Sequence, residues 1–165
     1  MTEHQRLFLV QARSNFDVFE FVRREPRFPK CHALHYLQMA TEMLGKAHAW
    51  KHGPPEKMTH RAFVNFLRSL ATNRQAQEQL GFGLRNENWQ HTIRKSVALA
   101  RAVEDLAPAL SPDTPNPEYP WPRFAPQSAP AEFEFPLWQD LEEKAAGRQF
   151  LSLVGRLFTV AETFV

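Results

Sequence analysis

Apolar residues recur every three to four positions along most of this chain, and where that rhythm stops, prolines take over. From Ala33 the apolar positions are Ala33, Leu34, Tyr36, Leu37, Ala40, Met43, Leu44 and Ala47, with Trp50 near the end. This spacing puts one broad stripe on a helix over residues 31–51. Gln38, Glu42 and Lys46 follow one another at i+4, and Glu42 ahead of Lys46 is the favourable ion-pair order, worth a few tenths of a kcal/mol. His52-Gly53-Pro54-Pro55 ends the helix, because Gly suits the position after it and Pro cannot continue the ladder. Thr59 is then the expected N-cap of a helix over 59–71, whose apolar face is Phe63, Phe66, Leu67 and Leu70. The two together read as a helical hairpin.

The same rhythm predicts the other elements. A first helix covers about 15–25 with Phe16, Phe19, Phe21 and Val22, and stops at Pro26 and Pro29. A short helical turn at 74–80 precedes Gly81-Phe82-Gly83. A long helix from about Glu87 to Leu106 carries Trp89, Ile93, Val97, Ala100, Val103 and Leu106, with Asn86 or Asn88 as its cap and Pro108 closing it. Eight prolines then lie from Pro108 to Pro130, a density that excludes helix and central strand. Disordered segments are depleted in aromatics, yet here Tyr119, Trp121, Phe124, Phe133 and Phe135 accompany the prolines. The expectation is an extended strap that lays Tyr119, Trp121, Phe133 and Phe135 onto the bundle. Residues 137–165 return to helix, with Phe150, Leu153, Val154, Leu157, Phe158, Ala161 and Phe164 as its stripe. Such a helix packs on the bundle, on a second copy or on a partner protein. The chain thus divides into a helical bundle at 1–110, a Pro/aromatic strap at 111–136 and a closing helix at 137–165. The fold class is all-α, an up-and-down bundle of four to five helices.

Composition sharpens this only a little. The 165 residues suffice for a sizeable core, and 14 Phe and 4 Trp against 6 Gly favour helices over a turn-rich β fold. No apolar run reaches the length of a membrane span, and the N-terminus lacks the basic-then-apolar order of a signal peptide. Cys31 stands alone, so a disulfide framework and a thiolate metal site are excluded, and a reduced, cytoplasmic setting is expected. A net charge of +2 is too mild to imply nucleic acid by itself. One local bias exists: Arg85, His91, Arg94, Lys95 and Arg101 fall within seventeen residues, diluted by Glu87, Glu104 and Asp105.

Standard catalytic motifs are missing. His32, His35, His48, His52 and His60 crowd one region, and His48 and His52 are spaced i, i+4, but no HExxH occurs and no carboxylate or cysteine lies at a ligand spacing. Exposed helical histidine is the simpler reading, so neither metal nor cofactor is expected. There is no G-x-S-x-G elbow, no Walker sequence and no GxGxxG.

A family likeness adds what spacing does not. The run Leu37-Gln38-Met39-Ala40-Thr41-Glu42, continued through Lys46-Ala47 and followed by Thr59-His60, resembles the HEPN domain, a small helical-bundle module of prokaryotic toxin, defence and nucleotide-handling systems. The resemblance is clearest over 16–70 and extends to Leu106; it departs at Met43-Leu44-Gly45, where the pattern often has Lys-Leu. It implies a HEPN-like bundle and a homodimer. Many members are metal-independent ribonucleases with an Arg and a His separated by four to six residues. This chain has Arg85-Asn-Glu-Asn-Trp-Gln-His91, and Asn86 matches the polar residue that follows the Arg. The resemblance therefore implies Arg85 and His91 as the catalytic pair, Asn86 beside them and RNA or a nucleotide as ligand; Arg94 and Lys95, from the local basic bias, are the further candidate binding residues. Were both helical, Arg85 and His91 would stand about 120° apart, so the pair needs Arg85 ahead of the helix. Two roles stay open: a dimeric endoribonuclease, and a non-catalytic module that binds nucleotide, nucleic acid or a partner protein through the strap or the closing helix.

Overall fold

Thr2 starts the first helix. Its hydroxyl accepts the Gln5 N–H at 3.3 Å and the Gln5 side chain accepts the Thr2 N–H at 2.7 Å, a reciprocal capping box. Helix α1 therefore spans Glu3–Arg24 instead of beginning near residue 15. Within its run Leu7-Phe8-Leu9-Val10, only Leu9 is buried; Leu7, Val10 and the expected core residue Phe21 are exposed. The structure is a computed structural model and describes residues 1–55, 59–83, 86–110, 113–122 and 127–163.

Among these residues there are seven α-helices, more than the four to five expected. After α1 come α2 (Lys30–Ala49), α3 (Ala62–Leu70), the one-and-a-half-turn α4 (Arg74–Gln79), α5 (Asn86–Glu104), α6 (Pro136–Glu142) and α7 (Ala145–Val160). The closing segment is two helices because Gly147 seats directly on the α6 backbone. A Cβ there would overlap Asp140 and Leu141, so the chain must turn at Glu143 and Lys144. At α5 the helix already begins at Asn86, so Asn88 lies in its first turn and not at its cap. Thr59 is not the cap of α3 either. Its hydroxyl accepts the Arg61 N–H at 3.0 Å, closing the turn ahead of the helix.

Helices α1 and α2 form the most extensive helix pair, antiparallel, with His4 stacked on Trp50 at 4.2 Å between ring centres. The α2–α3 pair is not an antiparallel hairpin. Glu42 meets His60, Gly45 meets Ala62 and Phe63, and His48 meets Phe66 and Ser69, so partner numbers rise together. Gly45 makes this crossing possible, since any Cβ would overlap the backbone at Ala62 and Phe63. Helix α7 runs back along α1, stacking Phe158 on Phe16 at 4.4 Å, and also packs on α5. Phe150, Leu153, Val154, Leu157, Phe158 and Ala161 are buried as expected, and Phe164 lies outside the described residues.

Between α5 and α6 the proline-rich residues split in their behaviour. Trp121 and Phe135 join the core, with Phe133 edge-on to Trp121 at 5.1 Å, and Trp121 exchanges backbone hydrogen bonds with Ser128. Tyr119, expected on the bundle, is 61% exposed, and Phe124 lies outside the described residues. The turn that holds Tyr119 is made by buried Asn116, whose Oδ1 accepts the N–H groups of Glu118 (3.0 Å) and Tyr119 (2.9 Å). Among the described residues, no helix is long and apolar enough to cross a membrane.

Candidate functional site on the outer face of the fifth helix

The roll of α5 is fixed at both ends by α3. Near its start the indole N–H of Trp89, fully buried, donates to the Leu70 carbonyl at 3.1 Å. At its end the Glu104 carboxylate accepts the Val64 N–H at 2.9 Å. The two helices are thus antiparallel, and Ile93, Ser96, Ala100 and Val103 fill the face between these ties. Opposite that face His91, Arg94 and Lys95 are all exposed. Helical geometry puts Arg94 about 60° to one side of His91 and Lys95 about 40° to the other. Arg101 is exposed two turns beyond Arg94, and among the described residues none of these four joins an ion pair. The diluting acids are drawn off in part, since Glu104 is buried and Asp105 pairs with Arg61.

Of the sequence-derived site residues, the structure brings His91, Arg94 and Lys95 onto one surface. Arg85 lies outside the described residues, and Asn86 is described only as the first residue of α5. Of the crowded histidines, the four with described side chains do not converge. His60 turns to Glu42 at 3.1 Å, His48 to the Ser69 hydroxyl at 3.2 Å and His35 to Glu118 at 3.6 Å, while His32 is exposed. Among the described residues no three His, Cys, Asp or Glu side chains meet as a metal site.

Two buried carboxylates were not legible from the sequence. Glu42, read there as half of a weak i+4 pair, is 4% exposed and takes hydrogen bonds from Gln38 (2.6 Å), Lys46 and His60. Burial pushes its carboxyl up, but donation from Lys46 and His60 outweighs that and holds it below the usual carboxylate range. Glu104 is 1% exposed and serves as the remote cap of α3, accepting the N–H groups of Val64 and Phe63. Burial pushes this carboxyl up as well, and the Val64 N–H, Arg61 and the Phe63 N–H only partly offset it, so it stands above the usual range. Its Oε2 has no hydrogen bond, with Arg61 Nη1 3.7 Å away. These groups hold the frame on which His91 is presented; none reaches the α5 outer face.

Compared with family models, with curated proteins and with solved structures, the chain finds no match.

Proposed function

We propose that this protein is a HEPN-like, metal-independent endoribonuclease that acts as a dimer. What supports the reading is the presentation of His91: exposed between Arg94 and Lys95, on a helix whose roll is locked by Trp89 and Glu104. An imidazole held over a basic surface suits phosphodiester cleavage by the RNA's own 2′-hydroxyl. His91 takes the hydroxyl proton as the oxygen attacks phosphorus, and a second copy's His91 returns a proton to the departing 5′-oxygen. Arg85, supplied by the resemblance, would steady charge on the phosphorane-like transition state. Arg94 and Lys95 would bind neighbouring phosphates. The pairing of two copies rests on the resemblance alone.

The test is cleavage of labelled total RNA in EDTA by the full chain, beside His91→Ala. The expected result is cleavage by the wild type and a loss of at least about 100-fold in the variant, the usual contribution of a general acid–base group. The melting temperature should not move, because His91 is exposed. A variant that cleaves like the wild type would sink this reading. The alternative is a non-catalytic module that binds nucleotide, nucleic acid or a partner protein, and it is equally compatible with a basic groove beside α5 that His91 does not line.

A further inference from the structure

A cavity of about 470 Å³ runs between α5 and α7. Phe82, Thr92, Arg148, Gln149, Ser152 and Arg156 line it, and among the described residues no acidic side chain does. Arg148, Ser152 and Arg156 follow one another at i+4 and form a line about 12 Å long on the exposed side of α7. Both guanidinium groups are anchored by carbonyls and not by carboxylates. Arg148 donates to the Glu142 and Glu143 carbonyls at the end of α6, at 3.3 and 2.6 Å, and Arg156 donates to the Leu80 carbonyl at 2.8 Å. Among the described residues neither forms an ion pair, so each keeps its full charge in the groove. Across from them Thr92 adds a hydroxyl, and Lys95 stands one turn further along α5 on the same side.

We infer that this groove binds the phosphodiester backbone of single-stranded RNA. The anchors hold the two arginines apart, Arg148 at the α6 end and Arg156 at the Leu80 carbonyl, and about 12 Å along the helix suits separate charges of an extended polyanion better than a single phosphate. A concave groove between two helices fits a strand and not a planar surface. Phe82 is already engaged by Trp89, tilted against it at 5.0 Å between ring centres, and by the Arg156 guanidinium over its ring at 5.9 Å. Recognition therefore falls to charge, hydroxyls and the Gln149 amide. The inference rests on the ribonuclease reading for the choice of RNA, and it adds the form of the substrate and the path it follows to α5.

Ser152 provides the test, since it is exposed mid-helix between the two arginines, where Glu and Lys are both good helix formers. The probe is a fluorescein-labelled uridine 12-mer with 2′-O-methyl sugars, which cannot be cleaved, read by anisotropy at several salt concentrations with the full chain. Ser152→Glu should weaken binding at least tenfold and flatten the salt dependence by about one phosphate contact, about 0.7 in the log–log slope. Ser152→Lys should tighten binding. Opposite signs at one exposed position are not produced by loss of fold. Equal binding by both variants, no binding by the wild type, or displacement of the strand by an equal concentration of uridine monophosphate would each overturn the groove. The two proposals fail separately. His91-dependent cleavage with unaltered binding by both Ser152 variants removes only the groove. Opposed Ser152 effects without cleavage of natural RNA remove only the nuclease.

Discussion

Glu42 and Glu104 are both buried, the first tying α2 to the turn ahead of α3 and the second tying α5 to α3, and are held in opposite ways. Glu42 on α2 is met by two side chains that can carry positive charge, Lys46 and His60. Glu104 on α5 is met chiefly by neutral backbone N–H groups at the start of α3, with Arg61 beyond hydrogen-bond distance. The first carboxyl is held below its ordinary range and the second above it. Burial is common to both and cannot explain the difference. What decides the state of these buried carboxylates is whether a charged partner hydrogen-bonds to them directly or stands off while neutral N–H groups do most of the holding.

Removing each group should expose that difference. Glu42→Ala leaves Lys46, whose side chain is only 16% exposed, as a largely desolvated cation without its partner. Breaking a buried pair from one side costs about 3–5 kcal/mol, and a urea melt should show a loss of that size. A loss under about 1 kcal/mol would mean that the cluster is wet and the contrast false. Glu104→Ala removes acceptors from the α3 N–H groups while Arg61 keeps Asp105. The expected loss is smaller, about 1–3 kcal/mol, as for other unsatisfied buried donors. Glu104→Gln should recover most of it, because a neutral amide oxygen still accepts from Val64. Glu42→Gln should recover little, since the amide brings no charge to Lys46.

The same contrast explains what could be read in advance. The all-α class, the apolar stripes of α2, α3, α5 and α7, and the outward direction of His91 follow from spacing, because burying one face of a helix is a local pattern. The start of α1 was written in Thr2-x-x-Gln5, but the continuous run Leu7-Phe8-Leu9-Val10 hides the helical period. The direction in which α3 crosses α2 depends on Gly45, whose value lies wholly in a neighbour's backbone. The break between α6 and α7 depends in the same way on Gly147. Glu42 and Glu104 look like surface residues because the partners that tie them to the α3 region, His60 and Val64, lie 18 and 40 positions away. The α5–α7 groove joins residues from three separated stretches, so no window along the chain contains it.

The smallest effect is the most discriminating, since it should reverse sign between the two sites. For Glu42 the folded pKa lies below the unfolded value of about 4.3. Between the two, the unfolded chain binds more protons, so stability rises with pH. Its contribution is complete above about pH 4.3 and is lost as the pH falls through the folded value. For Glu104 the folded value lies above 4.3, the folded chain binds more protons in the window, and stability falls as the pH rises through it. Denaturant melts between pH 3 and pH 5.5 should therefore diverge. The deficit of Glu42→Gln relative to wild type should grow as pH rises, whereas that of Glu104→Gln should shrink. Parallel pH dependences would mean that one mode of burial serves both carboxylates. Opposed ones would identify α2–α3 as joined through ionised groups and α3–α5 through a carboxyl that folding prefers to keep neutral.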